Sequence, residues 1–183
     1  EQCICKNSLS PIPDNCCLGV VVLENVKIRV LSDNDLDAVV RIDKKIFGGE
    51  RREFWKRKIA YSDIYPRPAL VAEVDGKVVG FILGFVSGWE FGVPDSVGWI
   101  DTLGVDPAYQ RQGIGRLLFS ELVKVFKRSG RETRRETEES KPKVEGVNIV
   151  YTLVSWDRWD LLQFYHTMGF KKGDMLNLEL KIR

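Results

Sequence analysis

The segment from Ile100 to Phe126 constrains this chain more than any other, because an apolar strand pattern runs through a proline turn into a strongly periodic helix. Pro107 has no N–H to donate to a strand ladder, so the strand must end at Asp106. The helix is predicted by apolar residues spaced three and four apart, at Ile114, Leu117, Leu118, Leu122, Val125 and Phe126. We therefore expect a strand-turn-helix unit with one buried helix face.

The turn before this helix, Q-R-Q-G-I-G-R at residues 110–116, has the composition of an anion site. Gly113 and Gly115 lack a Cβ, so a ligand can approach the first helical turn, whose N–H groups carry the positive end of the helix dipole. Arg111 and Arg116 can bond the same phosphate or pyrophosphate. A tight turn that only permits close helix packing is an equal interpretation of the glycines alone. Neither a P-loop nor a dinucleotide fingerprint is present.

Two motifs together resemble the GNAT superfamily of N-acetyltransferases. The family's acyl-CoA-binding pattern, Gln/Arg-x-x-Gly-x-Gly/Ala, is met at Gln110, Gly113 and Gly115. About fifty residues later, F-Y-H-T-M-G-F at residues 164–170 is similar to the family's closing F-Y-x-x-x-G-F element. The resemblance covers roughly residues 26–183, and two motifs in the family's order are more specific than either alone.

The resemblance implies an α+β fold, an α/β/α sandwich. Its mixed, mostly antiparallel twisted sheet carries helices on both faces, and the central strand splays away from its neighbour. The segment 103–105 is expected to form a bulge that frees the backbone of Leu103 and Val105 to bond the pantetheine of acetyl-CoA. The cofactor-binding residues implied are Leu103, Val105, Gln110, Arg111, Gln112, Gly113, Ile114, Gly115 and Arg116.

Local patterns predict the other elements in a matching order. Asp75-Gly76 joins two apolar runs, 69–74 and 78–86, and is the strongest hairpin signal in the chain. Strands are also predicted at 20–31 and 147–154, with a last strand or hairpin at 175–182. Helices are predicted at 36–47, 52–61 and 159–168, and the charged stretch 131–145 is expected to extend a helix and then form a mobile loop.

The chemistry that the resemblance implies is direct transfer of an acetyl group from acetyl-CoA to a primary amine. His166 is the only histidine, which argues against a Ser-His-Asp hydrolase. Tyr165, the tyrosine of the closing motif, is the expected general acid toward the leaving thiolate, with an aromatic core role as the alternative. Asp101 is the expected base, because a carboxylate in an apolar strand is costly unless it is paired, solvated or used. Pairing within the sheet, or deprotonation through ordered water, is the alternative.

The region before Tyr165 departs from the family pattern. Many members have an asparagine there that contacts the cofactor, whereas this chain reads W-D-R-W-D-L-L. Arg158 could reach a phosphate from this position. Trp156 and Trp159 are expected either to shape the acceptor slot or, for at least one of them, to lie in the core.

Two other function classes fit part of the sequence. A catalytically silent acyl-CoA-binding module would keep the same motifs. A nucleic-acid-binding protein would use the basic stretch 51–58, although the interleaved Glu50 and Glu53 favour a solvated helix face. The amine acceptor stays open among protein N-termini, lysines, free amino acids, polyamines and aminoglycosides.

Composition sets the remaining expectations. The 183 residues carry a net charge of +2, which is ordinary for a globular protein without a polyanionic partner. All four cysteines lie within residues 1–17, at spacings unlike those of zinc sites. We expect a flexible tail at 1–19, a single domain at 20–183, no metal, and a monomer or homodimer. Without a secretory pattern or an apolar run of about 20 residues, a cytoplasmic enzyme is expected.

Overall fold

A computed structural model describes residues 25–64, 68–86, 97–132, 147–174 and 179–181, with no side chains described at 61–64 or 129–132. Within these ranges five strands form one sheet in the order β1-β2-β3-β4-β5. They are β1 Val26–Val30, β2 Ala69–Val74, β3 Lys77–Val86, β4 Val97–Val105 and β5 Ile149–Thr152. β1 to β4 pair antiparallel and β5 joins β4 in parallel. The predicted mixed, mostly antiparallel sheet is confirmed.

Among the described residues, four α-helices cover the two faces of this sheet. They are α1 Leu36–Phe47, α2 Arg52–Ile64, α3 Ile114–Glu132 and α4 Trp159–Thr167. Trp55 and Ile59 of α2 pack with residues of α1 and with Phe81 of β3 in one buried cluster. Leu118 of α3 and Tyr165 of α4 belong to a second cluster that contains Ile82, whose side chain points to the other face. With one buried core on each face of the sheet, the predicted α/β/α sandwich is confirmed.

The hairpin between β2 and β3 is confirmed at the predicted residues. Asp75 and Gly76 have φ of 49° and 75°. Two consecutive positive φ angles match the twist that a two-residue hairpin requires, which is why an Asp-Gly pair is favoured there. The hairpin sets β3 beside β2, so that β4 can pair with its other edge.

Helix α3 is fixed to the sheet by Phe126. A Cβ added to Gly84 of β3 would lie 2.7 Å from the ring of Phe126, and one added to Gly98 of β4 would lie 2.9 Å from it. The ring is fully buried. The two glycines thus form a socket for this aromatic side chain.

The bulge of β4 lies at a different residue from the one expected. Leu83 of β3 pairs with Thr102 and Gly84 pairs with Ile100, so Asp101 is the extra residue. The expectation that segment 103–105 forms the bulge is wrong, since these residues stay in regular register with β3.

Gly104 has a packing role instead. A Cβ at this position would lie 2.5 Å from the ring of Phe81, closer than a real Cβ contact allows. Phe81 is itself fully buried between the sheet and α2, where its ring lies 4.9 Å from that of Trp55. Glycine therefore makes room for an aromatic side chain at a point where the strand itself is regular.

Element ends differ modestly from the sequence predictions. α2 continues to Ile64, and β5 is confined to Ile149–Thr152 rather than 147–154. Of the predicted last strand, residues 179–181 are not in a strand, and 175–178 and 182 lie outside the described residues. The predicted tail at 1–19 and most of the charged stretch 131–145 also lie outside them.

Candidate active site

β4 and β5 separate half-way along β4. Their parallel pairing runs only from Val97 opposite Ile149 to Ile100 opposite Thr152. β4 then continues to Val105 while still paired with β3 on its other side. We call the point after Ile100 and Thr152 the fork. It corresponds to the splayed central strand pair that the resemblance implied.

The backbone of β4 beyond the fork is directed into this opening. Asp106 donates its N–H to the carbonyl of Val79 at 2.8 Å, so Gly80 and Val105 are a non-hydrogen-bonded pair. The regular alternation along β4 then turns the N–H and C=O groups of Leu103 and Val105 away from β3. The Val105 carbonyl accepts a hydrogen bond from Nε2 of Gln110 at 3.0 Å.

The predicted anion-binding residues form one turn at the start of α3. Leu117 donates its N–H to the carbonyl of Gly113 at 3.0 Å, which closes the first helical turn. The N–H groups at 114–116 have no preceding turn to bond within the helix. Arg111 and Gly113 both have positive φ, at 61° and 83°. For an arginine this is an uncommon, strained conformation of the kind that concentrates at ligand sites.

Asp106 ties this turn to the rest of the fold. Its carboxylate accepts the N–H of Ala108 at 3.1 Å and pairs with Nζ of Lys45 from α1 at 2.6 Å. Burial raises the pKa of Asp106, but the Lys45 ammonium and the Ala108 N–H outweigh it and hold that pKa below its usual value. Gln112 adds a bond from Nε2 to the carbonyl of Ala108 at 3.2 Å. The turn is therefore positioned by α1 as well as by β4.

Gly115 also serves packing. A Cβ at this position would lie 3.2 Å from the ring of Phe164, so the glycine lets α4 approach the start of α3. The packing interpretation of the glycine pair is thus confirmed at Gly115. A cofactor-binding role for its N–H stays a prediction.

Tyr165 lies at the fork. Its side chain is 7% exposed and packs against the rings of Phe164 and Phe170. Its hydroxyl is hydrogen-bonded to Thr152, whose own Oγ1 donates to the carbonyl of Ile100 at 3.2 Å. Burial raises the pKa of Tyr165, and the Thr152 bond opposes that shift only in part. The phenol is therefore protonated at neutral pH.

Asp101 meets a lysine that the sequence did not single out. Nζ of Lys58, on α2, lies 2.8 Å from Oδ2 of Asp101 and donates to Oγ1 of Thr102 at 2.8 Å. It also lies 4.8 Å from the ring centre of Phe54. Lys58 follows buried Trp55 by one helical turn and directly precedes buried Ile59. That position at the edge of a buried helix face is the signal that could have identified it.

The two predicted catalytic side chains lie on opposite faces of the sheet. Asp101 contacts Lys58, next to the cluster of α1 and α2. Tyr165 belongs to the cluster of α3 and α4. Both flank Ile100, the last β4 residue that pairs with β5. The fork therefore has a carboxylate on one face and a phenol on the other.

The side chains between β5 and α4 are arranged differently from what the sequence led us to expect. Arg158 forms a two-pronged ion pair with Asp160, at 3.0 and 2.8 Å, which occupies its guanidinium. Trp156 and Trp159 are each 75% exposed. The expectation that at least one of them lies in the core is wrong.

Much of the charge on the basic stretch 51–58 is neutralised within the protein. Arg51 donates from Nε to buried Asp43 at 2.9 Å, Arg52 pairs with Asp37 at 2.6 Å, and Lys58 pairs with Asp101. Three of the five basic residues in this stretch therefore do not form a free cationic surface. This geometry weakens the nucleic-acid interpretation.

In the described part of the chain, no three side chains of His, Cys, Asp or Glu lie together as a metal would need, and the four cysteines fall outside that part. The prediction of no metal accordingly stays a prediction. In the same part, none of the helices combines the length and apolarity needed to span a membrane.

The model of the acetyltransferase (GNAT) family matches residues 36–142, more than half of the chain and the whole strand-turn-helix unit. The chain belongs to the GNAT family. The resemblance seen in the sequence is confirmed, and so is the fold that it implied.

Individual similar proteins either match only part of this chain or match it at low sequence identity. An uncharacterized N-acetyltransferase of Methanocaldococcus jannaschii is 35% identical over 99 residues, a match that spans 54% of this chain and 58% of that protein. A ribosomal-protein-alanine N-acetyltransferase from Brucella melitensis superposes with a TM-score of 0.61 at 16% identity, over 86% of this chain and 99% of the other. An aminoglycoside N-acetyltransferase solved with CoA gives 0.61 at 14% identity, over 86% and 100%. At such low identity the solved structures share the fold alone.

Proposed function

We propose that this protein transfers an acetyl group from acetyl-CoA directly to a primary amine. The observation that carries the proposal is the fork, where β4 turns backbone N–H and C=O groups away from β3, beside a buried, protonated tyrosine. Membership of the GNAT family supports acetyl-CoA as the acetyl donor. The acceptor classes suggested by GNAT relatives of this fold include a ribosomal protein's alanine and aminoglycosides.

The turn at 110–116 and the edge of β4 are the proposed binding surface for acetyl-CoA. Unpaired N–H groups at 114–116 and the exposed side chains of Arg111 and Arg116 offer hydrogen bonds and positive charge to a pyrophosphate. The N–H groups of Leu103 and Val105 and the C=O of Leu103 suit the amides of pantetheine, in the manner of an added strand. Gln110 donates a hydrogen bond from Nε2 to the carbonyl of Val105. This side chain therefore links the turn at 110–116 to the edge of β4.

Tyr165 is the proposed general acid. When an amine attacks the thioester carbonyl, the C–S bond breaks and the sulfur needs a proton. The Tyr165 hydroxyl lies at the fork, is protonated at neutral pH, and is oriented by Thr152. Its burial within an aromatic cluster keeps solvent away from the position of the leaving sulfur.

Asp101 is the proposed base for the acceptor. As the bulged residue of β4 it lies next to the fork, on the face of α1 and α2 and opposite Tyr165. An amine that enters from that face would meet the carboxylate before it meets the thioester. Lys58 already shows that an ammonium group fits this position, at 2.8 Å from Oδ2.

The proposal is tested by binding and turnover together. Calorimetric titration with acetyl-CoA measures the cofactor site. A screen for released CoA thiol, with peptide N-termini, lysine peptides, amino acids, polyamines and aminoglycosides, measures transfer. We expect micromolar binding and turnover with at least one acceptor class. Binding without transfer to any of them would favour a silent acyl-CoA-binding module, and no binding at tens of micromolar would remove both interpretations.

A further inference from the structure

We infer that Lys58 is itself an acetyl acceptor, so that the protein modifies its own α2 in cis. This inference rests on the proposed function, because it needs acetyl-CoA at the fork. It concerns a side chain that neither motif contains and that the acetyl-transfer reaction does not require.

The position of Nζ is the first argument. It lies 2.8 Å from Oδ2 of Asp101 and 2.8 Å from Oγ1 of Thr102, the two residues of β4 that directly follow the fork. The lysine side chain is 17% exposed, and its head lies over the ring of Phe54. Carboxylate, hydroxyl and aromatic face together form a site that binds one primary amine, and in this structure that amine is Lys58.

The second argument is the contrast with a neighbour on the same helix. Lys56 is exposed, and the two side chains start from positions about 200° apart around the helix axis. Holding a reactive amine beside the reacting group replaces a bimolecular encounter by an intramolecular step, which raises the effective concentration of that amine greatly. Lys58 therefore has an advantage that surface lysines lack.

The transfer step balances without a further reactant. The Lys58 ammonium gives one proton to Asp101, which passes it to solvent, and the free Nζ electron pair attacks the thioester carbonyl carbon. The C–S bond breaks, and the sulfur leaves as CoA thiol with a proton from Tyr165. The second proton of the nitrogen also leaves through Asp101 to solvent, and Tyr165 regains one proton from solvent. The products are Nε-acetyl-Lys58, CoA thiol and one released proton. The amide carries no charge, so the ion pair with Asp101 and the cation–π contact with Phe54 are lost.

The test follows the mass of the full-length protein during incubation with acetyl-CoA, with peptide mapping of the acetylated lysines. We expect one acetyl group to accumulate at Lys58, with a first-order rate constant that does not change over a tenfold range of protein concentration. Lys58→Arg should remove that modification, and the matched variant Lys56→Arg should leave it unchanged. Gly113→Asp protein, folded but blocked at the cofactor turn, measures the background of direct chemical acetylation.

Each other outcome overturns the inference. If Lys58 is acetylated no faster than Lys56, or equally fast in Gly113→Asp protein, the modification is chemical background. If its rate constant rises in proportion to protein concentration, the transfer occurs between molecules. If Lys58 stays unmodified while acetyl-CoA binds and external amines are acetylated, the inference fails and the proposed function stands. Absence of acetyl-CoA binding removes both.

Discussion

The Tyr165 hydroxyl is hydrogen-bonded to Thr152, the last residue of β5 that pairs with β4. A tyrosine on a helix and a threonine on a strand are thus joined at the point where the sheet opens. Thr152 is in turn bonded to β4, because its Oγ1 donates a hydrogen bond to the Ile100 carbonyl. The position of the proposed acid is consequently set by the sheet, and its chemistry can be tested separately from its packing.

Tyr165→Phe should lower kcat by roughly 10- to 1000-fold with little change in acetyl-CoA affinity, because phenylalanine keeps the ring but has no proton to donate. Steady-state kinetics with the best acceptor and calorimetry with acetyl-CoA measure the two quantities. The matched control is Tyr151→Phe, a tyrosine of β5 whose ring lies 5.2 Å from Trp99. Wild-type turnover in Tyr165→Phe, with chemistry shown to limit the rate, would return Tyr165 to a core role.

Arg111→Gly should separate ligand binding from stability. Removing the guanidinium should weaken acetyl-CoA binding by roughly 1–3 kcal/mol, the range for a lost charged hydrogen bond. Glycine suits a φ of 61°, so the free energy of unfolding should stay unchanged or rise by up to about 1 kcal/mol. Calorimetry and urea unfolding measure the two effects. Unchanged affinity would exclude Arg111 from the cofactor site.

Gly104→Ala should destabilise the protein by about 1–3 kcal/mol, because its methyl group would lie 2.5 Å from the ring of Phe81. In the Gly104→Ala, Phe81→Leu double variant the two losses should be less than additive. Gly49→Ala is the control, since no atom lies within 4 Å of a Cβ there. Urea unfolding measures all of these variants. Equal effects of Gly104→Ala and Gly49→Ala would contradict the packing role.

Asp35 should make the protein acid-sensitive. Its hydrogen bonds from Arg29, at 2.7 and 2.8 Å, are the main reason that the pKa of Asp35 is lowered; burial opposes the shift, and Ser32 adds two smaller contributions. Because the folded pKa lies below the unfolded value of about 3.9, this stabilisation is fully present above that value. It is lost as the pH falls from there through the folded pKa.

Asp35→Asn should therefore cost about 1.5–3 kcal/mol at pH 7, the range for hydrogen bonds to charged groups, and much less at pH 2. Urea unfolding across this range measures the difference. Asp37→Asn is the control, because the Asp37 carboxylate is 78% exposed and its ion pair with Arg52 should contribute little. A cost for Asp35→Asn that does not change with pH would show that the stabilisation is not electrostatic.

Removal of residues 1–18 tests the proposed division into a tail and a single domain. Stability and acetyl-CoA affinity should stay nearly unchanged, because the residues that carry the proposed domain and cofactor site all follow residue 18 and chain termini that are not tied down contribute little to either. Thermal unfolding, calorimetry and metal analysis of the full-length and shortened proteins measure the effect. A large drop in melting temperature, or stoichiometric zinc that disappears with the tail, would show that the cysteines are structural.

The sequence predicted the fold well where local signals and core patterns agree. The Asp75-Gly76 hairpin and the periodic start of α3 were both found where their residue types placed them. The bulge at Asp101 was missed because it depends on the register between two strands, which a single strand sequence does not encode. The pairing of Lys58 with Asp101 was missed for a similar reason, since it joins residues 43 positions apart in different elements.

The socket for Phe126 has a further consequence for the far end of its helix. Ile114 and Phe126 are twelve residues apart, which is about 18 Å along an α-helix. With Phe126 seated between Gly84 and Gly98, α3 is fixed to the sheet at this residue. A tilt of about 10° about Phe126 would displace Ile114 by about 3 Å, the length of a hydrogen bond. The absence of side chains at Gly84 and Gly98 therefore contributes to where the start of the helix lies.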